Sequence, residues 1–203
     1  MIAIVDYGVG NVRSVLCALR RISRQAALTS EPREILAADA VILPGVGAFG
    51  AAMDNLRTSR LDAVLLDVVK ARRPLLGICL GHQLLFSESE EYGRHEGLDL
   101  IPGVVRRFPA GITVPHMGWN EMKQRRASPL FGGIADGAFF YFAHSYCALP
   151  QDEAVTIGAT DYEGDFASVV ASGLVFGTQF HPEKSGPIGL ALLENFCRLS
   201  ERG

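Results

Sequence analysis

Cys79, which lies between two glycines, is the residue of this chain best suited to nucleophilic chemistry. Residues 74–83 form an apolar run that ends at Cys79, with Gly77 and Gly81 on either side. This Gly-x-Cys-x-Gly spacing is typical of a nucleophile elbow, in which a strained turn between a strand and a helix presents the nucleophile and requires small neighbours. The first N–H groups of the helix would stabilise a thiolate and an oxyanion. The motif alone fits a buried core cysteine equally well.

A second group of polar residues supplies the base that a cysteine nucleophile needs. His181 and Glu183 follow the apolar run 174–176, and on an extended segment stiffened by Pro182 their side chains would point the same way. The carboxylate could then orient the imidazole. His144, at the end of the apolar stretch 138–142, is a rival base, but no carboxylate follows it two residues later. The sequence therefore favours His181.

Composition indicates one α/β domain spanning residues 1–203. The chain has 203 residues, 48% of them hydrophobic, and a formal net charge of −3, with basic residues scattered in small groups, so a nucleic-acid partner is not expected. The amino terminus resembles neither a signal peptide nor a membrane span, which predicts a cytoplasmic enzyme without a membrane partner. The four cysteines are widely separated, so we expect reduced thiols, no metal and no cofactor. Cys17, Cys147 and Cys197 are predicted to be packed in helices or at a strand end.

The elements that position these residues alternate between strands and helices up to Cys79. This order predicts a doubly wound, mostly parallel sheet with helices on both faces. Residues 87–97 are acidic and indicate a loop, whereas short strands between residues 104 and 170 indicate antiparallel additions. A final amphipathic helix is predicted over residues 188–199.

Two glycine-rich segments follow predicted strands. In the first, Gly8 and Gly10 do not make a dinucleotide-binding motif, because the third glycine would fall at Arg13. The second, residues 44–50, lacks the Lys-Ser/Thr of a phosphate-binding loop. Its backbone N–H groups could instead stabilise an oxyanion beside Cys79. The alternative is a simple turn into a helix over residues 51–56.

The single tryptophan, Trp119, lies in a polar, glycine-broken segment, residues 115–120. A lone tryptophan commonly belongs to the core. These neighbours, however, favour an anchor that faces a partner protein, because tryptophan is enriched among interface hot spots.

Together these motifs resemble those of the class I (triad) glutamine amidotransferases. The resemblance rests on Gly77-Ile78-Cys79-Leu80-Gly81-His82-Gln83 and on Phe180-His181-Pro182-Glu183. Within that class, residues 6–14, 43–49, 115–120 and 141–146 look like the glutaminase subunits of imidazole glycerol phosphate synthases, which act in histidine biosynthesis. His82 is a small departure, since methionine is common there in these subunits and histidine in sister amidotransferases.

The resemblance implies roles for individual residues. Cys79 would attack the side-chain amide of glutamine, His181 would carry the proton to ammonia, and Glu183 would orient His181. The implied oxyanion-hole donors are Val46 and Leu80. The implied glutamine-binding residues are Gly45, Gly47, Gln83, Glu91, His144, Ser145 and Tyr146. The implied contacts with a (β/α)8-barrel synthase subunit, which would receive the ammonia, are Met117, Gly118, Trp119, Tyr141 and Lys184.

Two other functions stay open at this point. The chain could be the glutaminase of anthranilate, aminodeoxychorismate or guanylate synthesis, but those sequences lack the Asp-Tyr-Gly-x-Gly-Asn opening and the Pro-His-Met-Gly-Trp-Asn segment. It could also be a binding module that kept the fold without activity. The presence of all three triad residues disfavours that second alternative.

Overall fold

A computed structural model describes residues 1–201 as two β-sheets flanked by helices. The strands are β1 Ile2–Val5, β2 Ala26–Thr29, β3 Ala40–Gly45, β4 Leu75–Cys79, β5 Phe86–Ser89, β6 His95–Glu96, β7 Ile101–Arg107, β8 His116–Gln124, β9 Ala138–His144, β10 Tyr146–Pro150, β11 Thr156–Asp161, β12 Asp165–Ser172 and β13 Val175–Thr178. The helices are α1 Val12–Arg21, α2 Pro32–Ala37, α3 Phe49–Thr58, α4 Leu61–Lys70, α5 Leu80–Leu84 and α6 Gly186–Leu199.

The larger sheet has nine strands in the order β2-β1-β3-β4-β13-β12-β11-β8-β9. Its first five strands run parallel. Strands β1, β3, β4 and β13 are buried along their whole length, as expected for apolar strands covered on both faces. Side chains from α1 and α6 pack in one core, and those from α3 and α4 pack in the other. The predicted doubly wound sheet with helices on both faces is therefore confirmed.

Antiparallel strands complete the fold, as the sequence predicts. Strands β12, β11, β8 and β9 extend the large sheet, and a four-stranded sheet has the order β10-β7-β5-β6. One pair in the small sheet, β5 with β7, is parallel instead.

The prediction of a loop over residues 87–97 holds for residues 90–94 but was wrong at both ends, where β5 includes residues 87–89 and β6 includes residues 95–96. Three of the four glutamates in residues 87–97, namely Glu88, Glu90 and Glu96, form ion pairs with arginines. Arg94 Nε lies 2.7 Å from Glu88 Oε2, and Arg106 Nε lies 2.9 Å from Glu90 Oε1. Phe86 and Ser89 are buried and the two residues between them are partly accessible, so β5 lacks the strict alternation by which a strand is recognised in a sequence.

The chain passes from the large sheet to the small one at Ser145. Strand β9 ends at His144 and β10 begins at Tyr146, so the two strands are separated by this one residue. The crossing places His144, Ser145 and Tyr146 around the same cavity as Cys79, the last residue of β4, and His181, which follows β13. Among residues 1–201, none of the helices combines the length and the apolar composition that a membrane crossing requires.

Candidate active site

Cys79 occupies a strained turn between β4 and α5. Its φ is +55° and its ψ is −107°, a conformation that a non-glycine residue adopts only when the surrounding structure enforces it. The neighbouring glycines enforce the turn by close packing. A Cβ atom on Gly81 would lie 1.8 Å from the Leu43 carbonyl oxygen, and one on Gly77 would lie 2.5 Å from the Gly81 oxygen. The geometry is that of a nucleophile elbow, although α5 is only a short helix.

His181 and Glu183 form a buried pair next to this turn. His181 Nδ1 lies 2.9 Å from Glu183 Oε1, and both side chains are almost inaccessible to solvent. The connecting backbone is not extended, contrary to the sequence prediction. His181 instead caps a 3₁₀ turn, Pro182–Lys184, and this turn brings the carboxylate back towards the ring.

The protonation of His181 follows from its partners. Burial lowers its pKa, but hydrogen bonds with Cys79 and Glu183 outweigh burial and raise the pKa to about 9. Since Nδ1 faces Glu183, Nε2 is the nitrogen available to the thiol. Asn11 Nδ2 also lies 3.5 Å from Glu183 Oε1, a contact that the sequence analysis missed. The ring is thus held where it can take the proton of the thiol and pass it on.

A cavity of about 470 Å³ opens above Cys79. The residues lining it that the sequence analysis named as triad, oxyanion or substrate-binding candidates are Val46, Gly47, Cys79, Leu80, Gln83, Glu91, His144, Ser145, Tyr146 and His181. Two predicted partner contacts, Met117 and Lys184, also line it. Lining residues that the sequence analysis missed are Tyr92, Arg107, Pro115 and Ala143. Residues from both sheets therefore surround the sulfur.

Gly45 does not line this cavity. It is buried at the end of β3, where a Cβ atom would lie 2.8 Å from each of three atoms: Gly81 N, Leu80 Cβ and Tyr7 Oη. Tyr7 Oη in turn donates a 2.7 Å hydrogen bond to the Pro44 carbonyl. The position indicates that Gly45 permits close packing behind the elbow.

The predicted oxyanion donors flank Cys79 from two elements. Leu80 is the first residue of α5, and Val46 lies half-exposed on the loop after β3. Gly47 has a φ of +100°, which strongly favours glycine. Where α3 begins, the N–H of Phe49 donates a 2.6 Å hydrogen bond to Glu91 Oε2. Glu91 thus connects the end of the glycine-rich loop to the cavity wall.

Both ring nitrogens of His144, the rival base, contact groups other than Cys79. Its Nδ1 lies 2.7 Å from the Tyr146 carbonyl oxygen, and its Nε2 lies 3.0 Å from His116 Nδ1. His116 Nε2 is 3.3 Å from Asn120 Nδ2. Both rings are neutral, because burial lowers the pKa of His144 to about 3 and that of His116 to about 4. These contacts make His144 part of the cavity wall.

Two glutamine side chains connect the cavity wall to the sulfur. Gln83 Nε2 donates to the Tyr146 carbonyl oxygen and to Gln179 Oε1, each at 3.0 Å. Gln179 Nε2 lies 3.9 Å from Cys79 Sγ. Gln179 belongs to the His181 motif, but the sequence analysis gave it no role.

His82, next to Gln83, is fully buried without a hydrogen-bond partner. Neither ring nitrogen has a polar contact within the part of the chain that the structure describes. The ring meets Phe86 edge-on at 5.4 Å, and its Nδ1 would be 2.3 Å from a Cβ atom on Gly177. Burial lowers the pKa of His82 to about 3.

An exposed apolar face runs along β8 and β9, at the edge of the large sheet. Trp119 is 55% exposed, which excludes the core alternative for this residue. Its ring meets Tyr141 edge-on at 6.2 Å, and Lys184 Nζ lies 5.8 Å from the centre of the Tyr141 ring. Met117 and Phe139 are also exposed, and Phe139 was not among the residues predicted to contact a partner. We call Met117, Trp119, Phe139, Tyr141 and Lys184 the outer face.

The backbone of Tyr141 connects the outer face to the catalytic segment. Its carbonyl accepts a 2.9 Å hydrogen bond from the His181 N–H, and its own N–H donates to Ser185 Oγ at 3.0 Å. A residue whose side chain is part of the outer face therefore also holds the backbone of His181.

The remaining cysteines are not all packed. Cys147 and Cys197 are buried, and burial raises the pKa of their thiols to about 11 and about 12. Cys17 is exposed on α1, so its predicted packing was wrong. The helix buries Val15, Ala18 and Leu19, and Cys17 lies on the other side. Residues 1–201 contain no cluster of three side chains suited to a metal ion.

Comparison with known proteins gives a consistent set of relatives. Residues 3–199 match the family model described as glutamine amidotransferase class-I. Proteins named imidazole glycerol phosphate synthase subunit HisH are similar over nearly the whole chain. The one from Moorella thermoacetica is 54% identical over 198 residues, covering 98% of this chain and 94% of the relative. The one from Dehalococcoides mccartyi is 49% identical and covers 98% of each.

Solved structures show the same fold at low sequence identity. A crystal structure of a glutamine amidotransferase has a TM-score of 0.79 and 20% identity, covering 99% of this chain and 100% of that one. The PurLQS structure from Thermotoga maritima has a TM-score of 0.76 and 16% identity, with 98% and 97% coverage.

Proposed function

The chain belongs to the class-I glutamine amidotransferases, and we propose that it is the glutaminase subunit of an imidazole glycerol phosphate synthase. The observation that carries the chemistry is the strained Cys79 turn beside the buried His181–Glu183 pair. The full-length relatives named above favour this synthase over the other glutamine-dependent pathways.

In the proposed reaction the Cys79 thiolate attacks the side-chain amide carbon of glutamine. A C–S bond forms, and the amide oxygen becomes an oxyanion that the N–H groups of Leu80 and Val46 stabilise. The C–N bond then breaks, and the His181 imidazolium gives its proton to the departing nitrogen, which leaves as ammonia. Water, deprotonated by the neutral His181, attacks the thioester. Glutamate is released and the thiol is restored.

Each partner of His181 has a separate task in this cycle. Glu183 orients the ring and stabilises the imidazolium, so the proton can rest on Nε2 between the two transfers. Asn11 helps to fix the carboxylate. Because burial alone would favour the neutral ring, the raised pKa depends on the contacts with Cys79 and Glu183.

The amino-acid end of glutamine would lie towards the small sheet. Both N–H groups of Gln83 are used inside the protein, so its oxygen remains to accept a hydrogen bond from substrate. Glu91 would pair with the α-ammonium group. Backbone N–H groups at Ser145 and Tyr146 would hold the α-carboxylate.

A (β/α)8-barrel synthase subunit is the proposed partner. The outer face combines exposed apolar and aromatic side chains with one lysine, borders the cavity through Met117 and Lys184, and fits a protein interface with aromatic anchors. Ammonia would enter the barrel without release to solvent. There it would help to cleave a phosphoribosyl-formimino-carboxamide ribonucleotide into imidazole glycerol phosphate and an aminoimidazole carboxamide ribotide.

The function is tested with the complex of this chain and a barrel synthase subunit. Cys79→Ala should abolish glutamate release from glutamine. The same complex should still form imidazole glycerol phosphate from added ammonium salts, because the synthase site lies on the other subunit. Substantial glutaminase activity in Cys79→Ala would contradict the assignment of the nucleophile. A wild-type complex that makes no imidazole product from either nitrogen source would contradict the synthase assignment.

A further inference from the structure

Gln179 is a fully buried amide that ends beside the sulfur of Cys79. Its side chain is inaccessible to solvent, yet its nitrogen has one acceptor among residues 1–201, Cys79 Sγ at 3.9 Å. Buried N–H groups are nearly always hydrogen-bonded, so this one depends on the sulfur. The contact is long for a neutral thiol and would strengthen if the sulfur became an anion.

The orientation of this amide is fixed by its neighbours. An amide nitrogen and oxygen exchange places when the group rotates by 180°, so the hydrogen-bond partners must decide between them. The Tyr146 carbonyl can only accept, and it therefore requires the nitrogen of Gln83. The second N–H of Gln83 then requires the oxygen of Gln179. The nitrogen of Gln179 is left facing the sulfur.

A second contact of the sulfur, with a carbonyl oxygen, gives such a donor a use. Cys79 Sγ lies 3.9 Å from the Ala143 carbonyl oxygen, which can accept the thiol hydrogen but can give nothing to a thiolate. Ionisation of Cys79 would leave the anion next to a carbonyl dipole of the wrong direction. A neutral N–H donor to the sulfur offsets this effect alongside the His181 imidazolium, and it does so without adding a charge.

We propose that Gln179 is a catalytic residue that donates a hydrogen bond to the Cys79 thiolate, and that Gln83 and the Tyr146 carbonyl hold it in that orientation. The proposal rests on the assignment of Cys79 as the nucleophile. Gln179 lowers the free energy of the thiolate before attack. It also holds the sulfur in place while the C–S bond forms.

The test compares Gln179→Met, which keeps the length of the side chain but has no N–H, with Thr178→Val. Thr178 precedes Gln179 in the chain and is also fully buried. Its hydroxyl donates a 3.2 Å hydrogen bond to the Phe180 carbonyl, so Thr178→Val also removes a buried hydrogen bond and controls for that loss. Iodoacetamide is the probe of the thiolate, and peptide mapping separates Cys79 from the exposed Cys17. Gln179→Met should be labelled at Cys79 about tenfold more slowly than wild type at pH 7.

Kinetics of the complex with the synthase subunit give a second measurement. In Gln179→Met, glutamine turnover should fall about 10- to 100-fold with little change in KM, while product formation from ammonium salts stays at the wild-type rate. Wild-type labelling of Gln179→Met at pH 7 would overturn the proposal. Equal slowing in Thr178→Val would also overturn it, because general loosening would then explain the effect.

Two features keep the outcome decisive. If Gln179→Met does not fold, Gln179→Asn replaces it, because the shorter amide cannot reach Gln83 and Cys79 together and should give the same slowing. The labelling measurement needs no turnover. A complex without glutaminase activity would therefore count against the proposed function, while the role of Gln179 would still be decided by the labelling rates.

Discussion

Replacing His82 by methionine should stabilise the protein, and more so in acid. The folded chain holds this ring neutral with a pKa of about 3, whereas an unfolded histidine has a pKa of about 6.5. The unfolded chain therefore takes up a proton below pH 6.5 that the folded chain does not take up until about pH 3. Since a lowered pKa of a histidine favours the unfolded state in acid, the free energy of unfolding falls as the pH drops through this window.

The size of the effect follows from these two values. Between pH 7 and pH 5 a histidine with this difference removes about 2 kcal/mol of stability. At pH 7 the buried ring also leaves two nitrogens without partners, and each such atom costs about 1–3 kcal/mol. The rotamer freedom that a methionine loses offsets part of that gain. We expect His82→Met to be about 1 kcal/mol more stable at pH 7 and about 3 kcal/mol more stable at pH 5.

Urea unfolding followed by far-ultraviolet circular dichroism at pH 5, 6 and 7 measures this difference. Leu85→Met is the matched control, because it places the same side chain in the same buried region without removing a titratable group. His116 and His144 also destabilise the fold in acid, but all three proteins retain them, so their effect cancels. Parallel stability profiles for wild type and His82→Met would refute the reasoning, since the ring would then be protonated or hydrogen-bonded in the folded state.

Three further predictions concern catalysis and assembly. His181→Ala should reduce glutaminase turnover more than Glu183→Gln, because replacing the orienting residue of a triad commonly lowers turnover least. Wild-type turnover in Glu183→Gln would show that the carboxylate has a purely structural role. Trp119→Ala should weaken binding of the synthase by about 2 kcal/mol in a titration and leave the melting temperature unchanged, whereas a lower melting temperature with normal binding would argue against an interface anchor. Gly47→Ala should lower glutamine turnover of the complex about tenfold or more, because alanine at a φ of +100° is strained and the nearby Val46 N–H would be displaced. Unchanged turnover in Gly47→Ala would separate the loop from catalysis.

The parallel half of the fold was accessible to sequence reasoning because its pattern is local. Short, fully apolar runs such as β1 and β4 alternate with amphipathic helices, and glycines at the strand end mark the elbow. Two motifs far apart in sequence were paired on chemical grounds, because a cysteine nucleophile needs a base, and in the structure β4 and β13 pair in parallel and end at the same edge. The pairing of Cys79 with His181 follows from that arrangement.

The predictions that failed concern segments whose conformation or contacts depend on other elements of the fold. The acidic segment near β5 forms strands because β5 pairs with β6 and with β7, and the pairing with β7 involves residues outside the segment. The interpretation of His181 and Glu183 assumed an extended backbone, whereas in the structure the 3₁₀ turn that begins at Pro182 brings the same two side chains together. The contact of Gln179 depends on Gln83, ninety-six residues away in sequence. Such a contact becomes visible only in three dimensions.

The change of sheet at Ser145 limits how the length of this chain can vary during evolution. Side chains alternate between the two faces of a strand, so inserting or deleting one residue within β9 or β10 would reverse the faces beyond that point. Phe142 or Cys147 would then leave the interior, and the backbone of Ser145 would shift relative to the cavity. Insertions and deletions should therefore accumulate in the mostly exposed loop 109–114, whereas residues 138–150 should keep a constant length even where their side chains diverge.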